Sequence, residues 1–412
     1  MKPVDCTARS ADMGETMLNR AVRKAMAWRA LNAVPALLLA AGLTGAPMTA
    51  IADSQIAVFG KLDTDLETVD SSQPGAGIAS SRNRIATNAS RIGIRGSKEM
   101  EGDRQIIWQL ATRVNLNGTE TGGGGGLFTL WGNSHLGMKG DFGTLFLGVW
   151  DTPFRQAHDK VDLFDNSHIA SPIALLGSIG NGVGGAATVP ATGFHPAVSN
   201  VTVASTGFHR RQKSSLQYWS PLYQQLQVRL AYSVDDPATR TVAANPALWS
   251  FSTSYDLEPV YLAMAYERHQ DLKVLAGANV SGTDAGTRLI GAYRLGAGKF
   301  GLVYERLSYS TPASGSTARN AVSLSGSYRY GDNNLGAVYT RAGDLSGAVD
   351  TGANQISLRY GYLLSGGGEL YGQYTVIRNQ ANGSYNFGDG LQIPTAAGAR
   401  LSGLGVGMAY GF

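Results

Sequence analysis

The chain has 412 residues, of which 54 are glycine and only 16% are charged. Glycine at this frequency without a triplet repeat excludes a collagen-like chain. The formal net charge is +4, and no basic stripe with interleaved aromatic residues occurs, so nucleic-acid binding has no support.

The first 52 residues have the pattern of a cleaved signal peptide with an N-terminal extension. An apolar run from Leu31 to Leu43 follows four basic residues, Arg20, Arg23, Lys24 and Arg29. Ala50-Ile51-Ala52 is a small-x-small cleavage site, so we expect the mature domain to cover residues 53–412. A membrane anchor is the alternative, but the run is too short to span a bilayer and Pro35 interrupts it. Cleavage would also remove Cys6, the only cysteine.

From Asp53 onward, short segments alternate apolar and polar residues, which is the period-two pattern of a β-strand with two unlike faces. No run of 18 apolar residues occurs here, so the pattern excludes a membrane-spanning helix. We count sixteen such segments, joined alternately by tight turns and by longer loops. The longer connections are predicted near residues 64–89, 117–126, 151–208, 235–247, 268–285, 309–318, 344–350 and 380–399.

The polarity of the two strand faces distinguishes a membrane barrel from a soluble sandwich. The apolar face often ends in Tyr, Phe or Trp, as in an aromatic girdle, whereas the other face carries Arg, Glu, Gln, Ser, Thr and Gly. A sheet in hydrocarbon must close on itself, and sixteen strands enclose an aqueous channel. The sequence therefore predicts an all-β fold, a 16-stranded antiparallel transmembrane β-barrel. A soluble all-β binding protein or a surface adhesin is the alternative that composition alone leaves open.

The segment from Asp151 to about Phe208 contains no strand pattern, and glycine and other small residues dominate it. A loop of this length without regular structure is rare in a compact domain and is usually functional. We expect it to be neither helical nor a solvent-exposed tether.

Several stretches resemble the general diffusion porins of Gram-negative bacteria, of the beta-proteobacterial (neisserial and Burkholderia-like) type. Residues 56–63 and 90–96 are similar to the first two strands of that family, and Tyr410-Gly411-Phe412 is similar to its assembly signal, which ends in phenylalanine. The most specific stretch runs from Gly137 to Gly148 and continues as Asp151-Thr152-Pro153-Phe154. Two departures are Val149-Trp150, where the family usually has Arg-Gln, and an additional Gly/Ala-rich piece at 177–187.

The resemblance implies a homotrimer of water-filled barrels in the outer membrane, surrounded by lipid and lipopolysaccharide. It also implies that the third long loop folds inward and narrows the pore. Ions and small hydrophilic solutes would cross by passive diffusion, without a cofactor.

Selectivity in such a pore comes from its width and from fixed charges that line it. Arg91, Arg95 and Arg113 fall on the polar faces of the second and third strands, so we expect them to line the lumen. Arg211 and Lys213 share the predicted face of Ser215 and Gln217. The loop would supply the opposing acidic charge through three residues, Asp159, Asp162 and Asp165. An arginine-dominated constriction predicts a preference for anions, although ordinary solvated lumen charges, or pairing of the loop acids with Lys160, are alternatives.

Two further functions have weaker sequence support. A substrate-specific channel would line its pore with a binding site or an aromatic slide, for which Trp150, Phe154 and Phe164 are candidates. An enzyme needs a nucleophile, a base and an orienting group together, and His135 is the only histidine on a predicted strand, so we predict no catalytic activity. His158 and His168 are candidates for titration in the pore, but solvation in the loop is the favoured interpretation, and no histidine pair has metal-ligand spacing.

Overall fold

The computed structural model describes residues 54–74, 77, 79–118, 128–129, 132–164, 167–178, 207–234, 244–275, 278–311, 315–388, 393 and 395–412. The predicted signal peptide and the predicted loop residue Asp165 therefore lie outside the described residues.

Sixteen antiparallel strands form one closed sheet. Two of them are interrupted, so that the second and the fourth strand each consist of two segments paired with the same neighbour. In chain order the strands are Ser54–Ser71, Ser81–Thr87 with Arg91–Met100, Arg104–Val114, Phe128–Thr129 with Ser134–Gly140, Gly143–Asp151, Arg211–Trp219, Leu226–Val234, Ala247–Leu257, Val260–Gln270, Thr283–Leu295, Gly298–Thr311, Gly315–Tyr330, Asn333–Ala342, Ala353–Leu363, Gly368–Asn379 and Arg400–Gly411. A short separate hairpin, Lys273–Leu275 with Ala278–Val280, lies in the loop after the ninth strand.

The first and last strands close the barrel. They pair from Lys61 opposite Gly411 to Ser71 opposite Leu401. The Gly60 N–H donates to the Phe412 carbonyl at 2.8 Å, and the Phe412 N–H returns a bond to Gly60 at 3.1 Å. Closure leaves no unpaired sheet edge, which is the condition for a sheet in hydrocarbon. The predicted 16-stranded antiparallel barrel is confirmed.

The two faces of each strand differ as the alternation predicts. On the fifth strand Leu147 is 61% exposed on the outside, whereas the neighbouring Phe146 faces inward and is buried. The exposed outer residues are predominantly leucine, isoleucine, valine and tyrosine, and the inner ones include many buried charged and polar groups. None of the described helices is long and apolar enough to cross a membrane.

The first two strands extend well into the loop predicted at residues 64–89. Asp65 and Glu67 are buried on the inner face, and Leu66 between them is exposed outside. The prediction of the loop bounds was wrong because the outward positions here are partly threonine, so that the alternation of apolar residues ends before the strand does. Pairing continues to Asp70 opposite Ser81.

The third long loop folds into the lumen. It starts with a short α-helix, Pro153–Gln156, whose N-cap Thr152 accepts a bond from the Arg155 N–H at 3.4 Å. A 3₁₀ turn at Pro172–Ala174 follows. These short helices contradict the expectation of a wholly non-helical loop, since Pro at the first helical position after a capping hydroxyl favours a helical turn.

Apolar side chains of this loop belong to a buried cluster inside the barrel. They pack against one another and against residues of the barrel wall. The loop members include Phe154, Val161, Phe164, Ile169, Leu175 and Leu176. A side chain at Gly336 would meet the Phe164 ring at 3.1 Å. Glycine in the wall therefore makes room for the loop.

Candidate functional site

A cavity of about 220 Å³ lies inside the barrel, between the wall and the start of the inward loop. It is bounded by the first to sixth strands and by the loop helix. The lining residues are Phe59, Ala89, Arg91, Gln109, Ala111, Arg113, Gly132, Asn133, Asp151, Arg155, Asp159 and Arg211. Four guanidinium groups and two carboxylates therefore share one small polar space.

Strand register places two of these arginines directly opposite each other. Arg91 pairs with Arg113 on one side and with Lys61 on the other. Like charges directly opposite each other on neighbouring strands are unfavourable. The arrangement therefore concentrates positive charge on this side of the lumen at some expense of stability.

The carboxylate of Asp151 is held by two arginines. Its Oδ1 lies 3.0 Å from Nε of Arg211, its partner in the strand register, and 3.5 Å from Nη1 of Arg155. The Asn133 amide donates to the other oxygen at 2.9 Å. Asp151 is thus neutralised locally, and the remaining charge of the cavity is positive.

The predicted lumen residues separate into two groups in the structure. Arg91, Arg113 and Arg211 line the cavity together with the loop carboxylate Asp159. Arg95 is outside the lining set, and its guanidinium carbon lies 5.3 Å from the centre of the Phe59 ring.

Lys213 also lies outside the lining set, and it is exposed. The register shifts between Gly148 and Trp150, and Ser214 has a positive φ of 49°. Because this irregularity interrupts the alternation, the face of Ser215 cannot be extended back to Lys213. The predicted common face was wrong for this residue.

The loop acids likewise have different surroundings. Asp159 is exposed to the cavity, whereas Asp162 accepts a bond from the Phe164 N–H at 3.1 Å and so shapes the loop. Lys160 pairs with Asp256 at 2.8 Å, not with the loop acids as considered from the sequence. Arg155 and Asp151 were not predicted as site residues, although an acidic and a basic residue at i and i+4 around the start of a helix indicate an ion pair.

Hydrogen bonds fix the inward loop to strands on several sides of the barrel. The Phe154 N–H donates to Ser250 at 3.0 Å, and the Tyr261 hydroxyl donates to the Ala157 carbonyl at 3.0 Å. Farther along the loop, the Ser167 hydroxyl donates to Gln373 at 3.0 Å. The loop therefore crosses the lumen with anchors at both ends of its described part.

A fully buried ion cluster holds the last described part of the loop. Glu305 pairs with Arg288 at 2.5 Å and with Arg319 at 3.3 Å, and it also accepts the Gly177 N–H at 2.8 Å. Arg319 donates to the Ser178 carbonyl. Buried charges that are not in contact with water need partners of opposite charge or hydrogen-bond partners. The cluster therefore holds this part of the loop against the barrel wall.

The two loop histidines are buried, so their predicted solvation was wrong. His158 and His168 are each about 1% exposed. Burial, and then the charges of Arg288 and Arg155, hold the pKa of His158 well below its usual range. Phe154 and Phe164 are buried in the same loop core and are not available as an aromatic slide. Within the described residues, no group of three or more His, Cys, Asp or Glu side chains has the geometry of a metal site.

The C-terminal aromatic residues lie on the outer surface where the barrel closes. The rings of Tyr410 and Phe412 are 6.0 Å apart and nearly parallel, and both are exposed. Gly60 makes room for the Phe412 ring, since a Cβ there would lie 2.4 Å from it. Their role as an assembly signal stays a prediction.

A closed 16-stranded barrel with an apolar outer face, charged inner wall and inward loop is a membrane channel of the diffusion type. The sequence profile of the family described as Gram-negative porin matches residues 36–382, so the chain belongs to the Gram-negative porin family. It is therefore an outer-membrane channel through which solutes diffuse passively.

Individual relatives agree with this assignment. The chain is 23% identical to the major outer membrane protein P.IB of Neisseria lactamica over 301 residues, which cover 68% of this chain and 83% of the relative. It is 30% identical to protein P.IA of Neisseria meningitidis over 156 residues, or 34% and 38% of the two chains. Among solved structures, the anion-selective porin from Comamonas acidovorans superposes with a TM-score of 0.71 and 21% identity, covering 87% of this chain and all of that one.

Proposed function

We propose that the channel admits ions and small hydrophilic solutes with a moderate preference for anions. The observation that carries this proposal is the charge of the cavity, where four arginines face two carboxylates. Asp151 is bound to both Arg155 and Arg211, so the cavity keeps an excess of positive charge. In a narrow, low-dielectric passage these fixed charges act on passing ions with little screening. The structurally similar Comamonas acidovorans porin is anion-selective, which supports a preference for anions here.

The test is the reversal potential of single channels in a planar bilayer under a KCl gradient. The wild type is expected to favour chloride, and Arg91→Gln with Arg113→Gln is expected to reduce the anion-to-cation permeability ratio several-fold. Arg306→Gln is the matched control, because Arg306 is exposed and bonds Asn320 on the outer side of its strand. A reversal potential that stays unchanged in the double variant would refute the assignment of these arginines.

The inward loop is proposed to set the pore constriction over about residues 151–208. Its described part lies in the lumen, with Asp159 in the cavity and Lys299 donating to the Lys160 carbonyl. Lys213, Arg95 and Asp162 are not part of this proposal, because they do not line the cavity. Asp165 stays a prediction.

A homotrimer is proposed from the distribution of aromatic residues on the outer face. On each of the eighth to sixteenth strands, at least one exposed large apolar residue is Tyr, Phe or Trp. On the described part of the first seven strands, the exposed large apolar residues are not aromatic, and the outward aromatic residues Trp108, Tyr218 and Tyr232 are only partly exposed. Aromatic belts mark contact with lipid headgroups, so the aliphatic sector fits contact with other copies of the chain.

Native mass spectrometry in detergent tests the oligomer directly, with three copies expected. Leu136→Arg places a charge in the aliphatic sector and is expected to release monomers. Leu302→Arg, in the aromatic-bearing sector, is the control expected to keep the trimer. Both leucines are about half exposed or more, so the pair compares location and not burial. A monomeric wild type would contradict the proposal.

We also propose cleavage after Ala52 during export, which N-terminal sequencing of the membrane-inserted protein tests. No catalytic role is proposed, since the family and the fold are those of diffusion channels. An adhesin would fold equally well but would not conduct. The alternative of a substrate-specific channel has one supporting feature, a group of aromatic rings on the inner wall.

A further inference from the structure

We propose that the inner wall carries a binding site for small aromatic carboxylates beside the arginine-lined cavity. Four rings on three neighbouring strands form it: His135, Phe146, Trp150 and Trp219. We name this set the aromatic ladder. The proposal rests on the proposed anion preference, because it specifies which anions the channel would retain.

The rings of the ladder contact one another in sequence. The ring of Trp150 lies 4.7 Å from His135 and 5.3 Å from Phe146, with interplanar angles of 79° and 68°. Trp219 lies 5.1 Å from Phe146 at 89°. Edge-to-face contacts at these separations are the favoured geometry of aromatic pairs and hold each ring in one orientation.

The ladder faces the lumen. Leu136, Leu147 and Leu216 point outward and are exposed, and His135, Phe146 and Trp219 occupy alternate positions of the same strands. Trp150 lies beyond the register shift, and its ring contacts with His135 and Phe146 place it on the same side. Phe146 is buried at the centre, whereas His135, Trp150 and Trp219 are partly exposed. The ladder therefore presents ring surface to solutes, with Phe146 as its support.

Positive charge lies at both ends of the ladder. At one end, Trp150 directly precedes Asp151, whose carboxylate is bound by Arg155 and Arg211. His135 is paired with Gln109, which lines the same arginine-rich cavity. At the other end, the Arg229 guanidinium lies over the Trp219 ring, 4.7 Å from its centre. A flat ring resting on the ladder would place a carboxylate within reach of a guanidinium, the group best suited to hold it.

The polar groups beside the ladder favour an aromatic acid over a sugar acid. Gln156 donates to Gln217 at 3.3 Å and accepts from Arg229 at 2.7 Å. Gln217 donates in turn to the Asp151 carbonyl at 3.1 Å. A sugar needs several free partners for its hydroxyls, because each unmatched polar group loses affinity. A benzoate-like solute needs only a ring surface and one cation.

Benzoate is the probe, and the readout is block of the KCl current through single channels. Each variant is first recorded in KCl alone, where open-channel steps show that the barrel has formed. In the wild type, half-block by benzoate is expected at a concentration about tenfold below that of acetate or cyclohexanecarboxylate, equivalent to about 1.4 kcal/mol. Cyclohexanecarboxylate matches benzoate in size and charge but lacks the aromatic ring.

Three variants separate the ladder from other causes. Trp150→Leu with Trp219→Leu is expected to remove the preference for benzoate, and Trp150→Phe is expected to keep most of it. Trp249→Leu is the matched control, because this tryptophan is exposed on the outer face, where its ring contacts that of Tyr232 at a tilt of 37°. It is expected to behave as the wild type.

The outcomes distinguish this proposal from the proposed function. An anion-favouring reversal potential with equal block by benzoate and cyclohexanecarboxylate would overturn the ladder and leave the proposed function intact. Stronger block by glucuronate than by benzoate would overturn the solute class. A cation-favouring reversal potential would refute the anion preference by itself, while benzoate block that only the double ladder variant loses would still support the ladder.

Discussion

Glu305→Gln tests whether the buried ion cluster holds the inward loop. The carboxylate is the acidic partner of both Arg288 and Arg319, and all three side chains are fully buried. Removing one member of a buried pair leaves an uncompensated charge, which typically costs about 3–5 kcal/mol. Glutamine keeps the volume and one acceptor for the Gly177 N–H, so the lower figure applies.

A loss of about 3 kcal/mol changes the ratio of docked to undocked loop by roughly a hundredfold. The barrel strands themselves keep their pairing, so channels are expected to form. They should show a larger mean conductance and more current noise, because the loop leaves its position in the lumen for part of the time. Single-channel recording measures both quantities, and the temperature at which the folded band disappears on a gel reports barrel stability.

Glu258→Gln is the matched control for this prediction. Glu258 pairs with Arg294 at 2.9 Å, but both side chains are more than half exposed. Surface pairs contribute at most about 1 kcal/mol, so conductance and noise should match the wild type. If Glu305→Gln and Glu258→Gln showed the same current noise, the ion cluster would not be what holds the loop.

Three further perturbations act on the same loop and its wall. Gly403→Val is expected to raise current noise, because a Cβ there already meets Ile169 at 3.1 Å and overpacking costs about 1–3 kcal/mol. Tyr371→Phe removes a hydroxyl that donates to Asp63 at 2.6 Å, and should lower the melting temperature of the folded band through a loss of about 1–3 kcal/mol. Acidification below about pH 6.5 should loosen the loop, because the undocked imidazole of His158 binds a proton that the buried one resists. His158→Gln should reduce this acid effect.

Each of these expectations has a contrary result. Noise in Gly403→Val that equals the wild-type noise would show that the wall yields at that point. An unchanged melting temperature in Tyr371→Phe would mean that water replaces the hydroxyl. For His158 the direction of the pH effect is decisive. Because the pKa of His158 is lowered in the docked state, docking is most stable at pH values above the ordinary pKa of histidine and weakens as the pH falls below it. Loosening of the loop at alkaline pH would therefore refute the reasoning.

The sequence determined the barrel because the signal is local and repeated. Alternation such as Leu145, Leu147 and Val149 against Thr144 and Phe146 requires only that successive side chains point to opposite faces. That rule predicted sixteen strands and the two faces of nearly all of them. It failed where a strand is irregular, as before Ser215, or where the outer face is not apolar, as beyond Thr64.

The tertiary structure decided what occupies the lumen. Ser167 and Gln373 bond across 206 positions, and Gly177 and Glu305 across 128, so no sequence pattern relates them. Phe154 was a candidate for contact with solutes, but the loop buries its side chain in the core. Local alternation fixes the direction of a side chain relative to its own strand, whereas the partners it meets depend on how the loop crosses the closed barrel.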